Sequence, residues 1–211
     1  MSSGAPDPSA DARPGYDPAL TRQLLLDSAL ELFGEKGFHA SSVQEIVEAA
    51  GLTKGAFYHH FTNKEDVLIL IQDELVAVQA KIVAEILESR ASAVAQLRAL
   101  VRMMVLNASR YQSQVAVFYR ERRFLARERA ADVDRRWDVV QQQMEQIVQR
   151  GVESGELDPR VDSRIAVAGI VGMAVWVNQW FRPDGALSIE TIADELAQMA
   201  LSGLVRGADP Q

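Results

Sequence analysis

Apolar residues recur at helical spacing along nearly the whole chain, and no segment shows a sustained alternation of apolar and polar positions. The clearest stripe, with steps of three and four, predicts a long helix over about residues 64–88 whose apolar face is formed by Leu68, Ile71, Leu75, Val78 and Ile82. This periodicity predicts an all-α protein.

Capping signals divide the amino-terminal part into shorter helices. A first helix is expected to end at Gly37, because glycine readily adopts the left-handed conformation found after helix ends. Ser42 and Glu45 have the capping-box spacing that opens a second helix, and Gly51 is expected to end it. Thr53 can cap a third helix over residues 54–60.

The carboxyl-terminal half shows four further elements. Helical patterns cover about residues 92–112, 162–181 and 188–205, and another helix ends near the stretch 151–158, whose glycines predict a turn. Residues 1–18 carry four prolines, two glycines and almost no large apolar side chain, so we expect a disordered arm there.

Composition limits the possible functions. Lys and Arg number 22 against 29 Asp and Glu, a net charge of −7, so any contact with DNA must be local. Cysteine is absent, which excludes disulfides, thiolate metal sites and a cysteine nucleophile. No catalytic motif is present, and adjacent His59 and His60 face different directions on a helix, so we expect no enzyme activity, metal or cofactor.

No segment has the character of a membrane span or a secretion signal. The longest nonpolar stretch, residues 165–177, is shorter than the roughly 20 residues that a spanning helix needs. The amino-terminal residues lack the apolar region of a signal peptide. We therefore expect a cytoplasmic protein without membrane contact.

Residues 42–61 have the layout of a helix-turn-helix unit, with two short helices joined at Ala50-Gly51-Leu52-Thr53. The glycine permits a sharp turn, and the second helix begins with exposed backbone N–H groups that suit phosphate. Short helices around a glycine also occur in proteins that bind no nucleic acid, so the spacing alone leaves both interpretations open.

A dense set of motifs over residues 20–70 resembles the amino-terminal domain of the TetR family of transcriptional repressors. In order, they are Ala29-Leu30-Glu31-Leu32-Phe33, Gly37-Phe38, Ser42-Val43-Gln44-Glu45-Ile46, Ala50-Gly51-Leu52-Thr53-Lys54-Gly55, Phe57-Tyr58-His59-His60-Phe61 and Asn63-Lys64-Glu65-Asp66-Val67-Leu68. The resemblance implies a three-helix DNA-binding head over residues 19–79. It also implies a helical body over 80–211 that dimerises and binds a small molecule, which releases the operator.

The resemblance assigns DNA contacts to eight positions, which are Ser42, Thr53, Lys54, Gly55, Ala56, Tyr58, His59 and Lys64. A cation at the start of the recognition helix can reach a phosphate or a guanine edge, and a glycine lets the helix approach the major groove. Tyrosine, histidine and lysine side chains can donate to phosphate oxygens. Ser42 and Thr53 can equally serve only as helix caps.

Two features of the head depart from the family pattern. Val47 stands where family members commonly have alanine, and its bulk is expected to shift the recognition helix slightly. Residues 20–64 contain four basic and five acidic side chains. Because each phosphate contact adds salt-dependent affinity, we expect few ion pairs per head and a modest salt dependence.

The second half carries two candidate ligand features. Residues 118–129 hold five arginines, which either form a solvated face paired with glutamates or bind an anionic ligand through Arg120, Arg122, Arg123 and Arg127. Tyr119-Arg120-Glu121 and the segment 172–188 resemble TetR-type regulators of fatty-acid and sterol degradation, which respond to acyl-CoA thioesters. That resemblance implies an apolar tunnel for the acyl group, lined by Met103, Met104, Phe118 and Trp176. Each of these four residues can instead belong to the ordinary hydrophobic core.

The last two helices are expected to form a homodimer. Gly169 and Gly172 permit close approach of two helices, and apolar residues recur at helical spacing at Ile189, Ile192, Leu196 and Met199. A four-helix bundle of residues 163–181 and 188–205 from each chain would place two recognition helices about one DNA turn apart.

Two functions follow from these features. The first is a dimeric repressor that leaves a palindromic operator when a small-molecule effector, such as an acyl-CoA, binds. The alternative is a helical acyl-CoA sensor or carrier without specific DNA binding, which the acidic balance of the head favours.

Overall fold

A computed structural model describes residues 17–125 and 127–205 of the 211-residue chain, without the side chains of Arg123 and Arg127. The predicted all-α class is confirmed: the described residues form helices and contain no strand, only an isolated bridge between Leu157 and Val205. Most of the predicted arm, residues 1–16, lies outside the described residues. The α-helices are α1 (Pro18–Lys36), α2 (Val43–Ala49), α3 (Lys54–His60), α4 (Lys64–Glu88), α5 (Ala93–Arg110), α6 (Gln112–Glu121), α7 (Arg127–Glu153), α8 (Ser163–Trp180) and α9 (Ile189–Leu204).

The chain divides into two compact units, one up to Val67 and the other from Leu68 onward. The division falls near the start of α4, whereas the expected boundary at residue 79 lies further along the same helix. The last two residues of the predicted arm, Asp17 and Pro18, are instead part of the head: Pro18 begins α1, and the Asp17 carboxylate caps it by accepting hydrogen bonds from the N–H groups of Ala19 (2.9 Å) and Leu20 (3.2 Å).

The first unit is a three-helix head around an aromatic core. Phe33 and Phe57 are fully buried, and the rings of Phe33 and Phe38 meet edge to face at 5.2 Å. Val47 is buried in the same unit. Gly37 has the positive φ expected at the end of α1, but its ψ of 160° places it outside the left-handed helical region.

The second unit packs α5 against α8 and α9, with α7 on α8, around one continuous apolar core. The helix α7 ends at Glu153, within the predicted stretch 151–158, and the predicted turn forms at Gly155, which has φ 77°; Gly151 itself lies inside the helix. A Cβ on Gly151 would lie 2.7 Å from Leu157 and 2.9 Å from Ala93. The glycine at 151 therefore permits close packing instead of making the turn.

The start of α5 is capped from a distant loop. The Glu156 carboxylate accepts hydrogen bonds from the N–H groups of Ala93 (3.2 Å) and Val94 (3.1 Å), and Ser92 accepts one from Ala95. The bond from Val94 contributes most to holding the pKa of Glu156 below its ordinary value. This contact ties the turn after α7 to α5.

Candidate DNA-binding face and effector cavity

The recognition helix α3 is positioned by caps and by two buried aromatic rings. The Ser42 and Glu45 capping box is present at α2, and the Thr53 hydroxyl accepts a hydrogen bond from the N–H of Ala56 at 3.2 Å. Gly51 makes the turn between the helices with φ 66°. Phe57 and Phe61 are buried, so α3 has one face fixed in the head core.

The opposite face of α3 is exposed. It presents Lys54, Gly55, Tyr58 and His59, and 57% of the Tyr58 side chain is accessible. A Cβ on Gly55 would meet only the Thr53 hydroxyl, at 3.7 Å, so the glycine is not required by packing within the chain. Six of the eight predicted DNA residues thus lie on α3 or at its cap, although their contact with DNA stays a prediction.

Lys64 is engaged inside the head. Its ammonium donates hydrogen bonds to the carbonyl oxygens of Phe38 and Ser41, both at 2.8 Å, and lies 4.4 Å from the centre of the Phe38 ring. Burial lowers the pKa of Lys64. In this arrangement Lys64 anchors the loop between α1 and α2 to the start of α4, and a phosphate contact would require some of these bonds to be exchanged.

The electrostatics of the head leave few cations for phosphate. Lys36 forms an ion pair with Glu45, and the hydrogen bond from Lys36 is the main reason that the pKa of Glu45 falls to about 2. Burial, followed by the charges of His59 and Arg22, lowers the pKa of His60 and favours its neutral form. These contacts agree with the faint positive footprint expected from the sequence.

The second unit contains a narrow apolar cavity among five helices. The volume of the cavity is about 20 Å³, which is enough for about one water molecule. The lining side chains come from α4, α5, α6, α7 and α8, and they are Leu75, Val76, Gln79, Met104, Ala108, Val115, Phe118, Tyr119, Trp137, Ala174 and Val175.

Only part of the predicted ligand set meets at this cavity. Met104 and Phe118 line it, whereas Met103 lines a separate surface groove and Trp176 is 66% exposed on α8. Gln79 and Trp137 also line the cavity but carry no recognisable sequence signal, because a single residue within an amphipathic helix does not indicate the cavity it borders.

The arginine-rich segment borders the same cavity. The guanidinium of Arg122 lies 5.4 Å from the centre of the Phe118 ring, and its Nε donates to Asp134 at 2.7 Å. Arg120 pairs with the buried carboxylate of Glu121 at 2.6 Å. Both arginines have acidic partners, as the solvated-face interpretation expects, yet Arg122 also adjoins a cavity wall. The Arg123 and Arg127 side chains lie outside the description.

The predicted dimer residues separate into two groups. Ile192 is buried in the chain's own core, and Ile189 and Leu196 pack partly against that core, because α9 turns this face toward its own chain. Met199 is 63% exposed. On α8 an exposed row follows helical spacing; it consists of Ile165, Gly169, Gly172, Trp176 and Trp180.

Among the residues that the structure describes, nothing packs against the Cα of Gly169 or Gly172 closely enough to require a glycine. A Cβ at either position would meet no atom within 4 Å beyond its own helix backbone and chain neighbours. This distinguishes them from Gly151, where a Cβ would collide with buried side chains.

Residues 17–125 and 127–205 contain no cluster of three or more His, Cys, Asp or Glu suited to a metal ion. None of the helices described is both long enough and apolar enough to span a bilayer.

Both the amino-terminal and the carboxyl-terminal regions of this chain match known protein families. Residues 25–71 match the family model for bacterial regulatory proteins of the tetR family, and residues 90–204 match the tetracyclin repressor-like C-terminal domain. The HTH-type transcriptional repressor KstR2 of Rhodococcus jostii strain RHA1 is 31% identical over 202 residues, covering 93% of this chain and 96% of the relative.

Solved structures share the fold. The ketosteroid transcriptional regulator KstR2 of Mycobacterium tuberculosis has a TM-score of 0.81 at 24% identity, covering 88% of this chain and 95% of its own. AibR, solved in complex with isovaleryl coenzyme A and operator DNA, has a TM-score of 0.77 at 29% identity, with coverages of 85% and 97%. With a matching domain model over more than half its length and a relative similar from end to end, this chain belongs to the TetR family of transcriptional regulators.

Proposed function

We propose that the protein is a homodimeric transcriptional repressor that binds a palindromic operator through α3 of each chain and is released by an acyl-CoA effector. The relatives named as repressors support the regulatory role, and the AibR complex supports an acyl-CoA as the effector class. The proposal has three steps, which are DNA binding, dimerisation and effector binding.

The exposed face of α3 carries the DNA-binding step. Lys54 and Tyr58 are presented at the surface while Phe57 and Phe61 hold the opposite side of the helix in the core. A lysine at the helix start can contact a phosphate or a guanine, and the tyrosine hydroxyl can donate to a phosphate. The open space at Gly55 suits close approach of the backbone to the groove.

Dimerisation is supported by the exposed row on α8 and by Met199 on α9. Large apolar side chains such as Trp176 and Ile165, together with glycines that have no packing role in one chain, are typical of a helix that packs on a partner. A two-fold axis would bring the same face of both chains together. Met199→Asp should therefore give monomers, while Val139→Asp, an equally exposed apolar position on α7, should leave the dimer intact.

The effector step rests on the contact between Arg122 and Phe118. It joins a cation suited to phosphate with a wall of an apolar cavity, and a CoA thioester presents phosphates and an acyl group in one molecule. Because the cavity room is only about 20 Å³, acyl binding must move the surrounding helices apart. Such a movement would give the effector a different affinity for the two states, which release requires.

An acyl-CoA sensor or carrier without specific DNA binding is the second candidate. The observation that favours it is the head's balance of four basic against five acidic residues over 20–64. Lys36 and Lys64 are moreover engaged within the head.

Selection of duplexes from a random DNA library at physiological salt separates the two candidates. We expect an enriched palindrome with half-sites about one turn apart, loss of binding in Lys54→Ala and Tyr58→Ala, and release by acyl-CoA. Calorimetric titration with acyl-CoA should give the same affinity for these variants as for the parent. No enrichment with folded dimeric protein that still binds acyl-CoA would favour the carrier.

A further inference from the structure

Gln79 places an unpaired amide oxygen in the wall of the apolar cavity. Its side chain is 6% exposed, and its Oε1 has no hydrogen-bond partner among the described residues. On the same helix Leu75 and Val76 line the cavity beside it. A buried polar group without a partner destabilises the folded state, so the unpaired oxygen of Gln79 is a cost that an apolar side chain at this position would avoid.

A second buried glutamine shows how this fold treats an amide that serves structure. Gln96 is 2% exposed, and its Nε2 donates to the carbonyl oxygens of Ile86 (2.8 Å) and Ser89 (2.9 Å). Its Oε1 accepts from Arg150 at 2.8 Å. Gln96 therefore ties α4 and α7 to α5, whereas the Gln79 oxygen ties nothing together.

Other polar side chains lie on the helices that form the cavity, and one of them, Tyr119, lines it. Asn107, directly before the lining residue Ala108, is buried with an unpaired Nδ2. Tyr119 lines the cavity although 44% of the residue is exposed. With its ordinary pKa the phenol is already neutral at physiological pH and can donate a hydrogen bond, and partial burial raises that pKa further, to about 12. Gln72, about two turns before Gln79 on α4, is fully buried with both amide atoms unpaired.

These groups suit a ligand that is apolar in bulk and carries a polar oxygen. A saturated acyl chain would fill the cavity but would offer no hydrogen bond to the Oε1 of Gln79. A hydroxyl can donate to the Gln79 oxygen, and a keto oxygen can accept from an amide N–H after rotation of the same side chain. A pocket built to hydrogen-bond a polar group of its ligand discriminates strongly against a ligand that lacks this group, because the polar groups of the pocket then stay buried without a partner. A purely apolar pocket discriminates less strongly against a ligand that carries an additional hydroxyl.

We propose that the acyl group of the effector carries a hydroxyl or keto oxygen that hydrogen-bonds to Gln79, so that the protein responds to oxygenated acyl-CoA in preference to saturated acyl-CoA. The inference rests on the proposed acyl-CoA effector and specifies its chemistry. Gln79 is the residue that determines this specificity.

The first test is the stability of the ligand-free protein. Gln79→Leu removes an unpaired amide oxygen and should raise the melting temperature by about 2–4 °C. Gln96→Leu, the matched control, removes an amide whose partners are all present and should lower it. A fall for Gln79→Leu as large as that for Gln96→Leu would show that the folded chain, or a water held in it, already satisfies the amide, and would overturn the proposal.

The second test is binding of matched C8 acyl-CoA thioesters by calorimetry. The set contains octanoyl-CoA and its derivatives with a hydroxyl or keto group at C3, C5 or C7. We expect at least one oxygenated member to bind about tenfold or more tightly than octanoyl-CoA, and Gln79→Leu to reduce that ratio to about one.

The outcomes separate this inference from the function on which it rests. Binding of all thioesters with no preference for oxygen, or a preference that survives in Gln79→Leu, overturns the inference and leaves the acyl-CoA effector in place. Absence of binding by every thioester overturns both.

Discussion

A single methyl group at Gly169 should separate folding from dimerisation. Gly169 lies inside α8, and a Cβ there meets no atom within 4 Å in the chain beyond its own helix backbone and chain neighbours. Gly169→Ala therefore introduces no clash in one chain, and alanine is favoured over glycine in a helix by about 1 kcal/mol. For a chain of this size, that gain corresponds to a melting temperature about 2–4 °C higher in the folded monomer.

The dimer should respond in the opposite direction. An added methyl in a close-packed interface costs about 1–3 kcal/mol, and two-fold symmetry introduces it from both chains, so the total is about 2–6 kcal/mol. At about 1.4 kcal/mol per factor of ten, the dimer dissociation constant should rise between about 30-fold and 10⁴-fold. Sedimentation equilibrium over a concentration series measures this constant directly.

Gly34→Ala is the matched control. Gly34 is also inside a helix, α1, and a Cβ there also meets nothing within 4 Å under the same criterion, so the variant should gain the same stability and dimerise normally. An unchanged dissociation constant for Gly169→Ala would refute the assignment of the α8 face. A lower melting temperature for dilute, monomeric Gly169→Ala would refute the premise that the position is open.

Three further predictions concern the head and the packing of α7. Lys54→Ala should reduce the slope of log affinity for the operator against log salt by about 2 per dimer, as measured by anisotropy titrations, because each phosphate contact adds about 0.9; an unchanged slope would remove Lys54 from the DNA face. The pKa of Glu45 is lowered from about 4.5 to about 2, so the carboxylate stabilises the fold above pH 4.5 and this contribution is lost as the pH falls toward 2. In Glu45→Gln, the free energy of unfolding measured in urea should therefore depend less on pH between 4.5 and 2 than in the parent. The same pH dependence in both proteins would contradict this. Gly151→Ala should lower the free energy of unfolding by up to about 2 kcal/mol, and with it the melting temperature, because its Cβ would lie 2.7 Å from buried Leu157 and this clash outweighs the better helix propensity of alanine; a gain in stability would show that Leu157 moves aside freely.

The helix ends and the DNA-binding face were largely accessible from the sequence. The Ser42 and Glu45 capping box and the Thr53 cap form where predicted, because these interactions join residues three positions apart. The α3 candidates also lie on or beside one seven-residue helix, so a correct helix assignment brings them together. The family resemblance, confirmed by both domain models, supplied their proposed roles.

The partners of Lys64 could not be predicted from the local sequence. Its place at the start of α4 was predicted, but its ammonium bonds to carbonyl oxygens about 25 residues earlier in the chain. A sequence pattern gives the position of a cation, whereas the partner that occupies it depends on which loop folds against it. The same holds for Gly151, whose neighbours Leu157 and Ala93 explain a glycine that the pattern assigned to a turn.

The sequence by itself determined the all-α class, most helix boundaries and the exposed candidates on α3, because caps and periodicity act within a few residues. Only the tertiary structure decided which apolar faces are used internally. Periodicity marked Ile192 and Met199 alike, yet Ile192 is buried in its own chain while Met199 remains exposed. The cavity likewise takes side chains from five helices, and the unpaired amide oxygen of Gln79 acquires meaning only from its neighbours. Burial and hydrogen-bond satisfaction depend on contacts between distant segments, which no local pattern specifies.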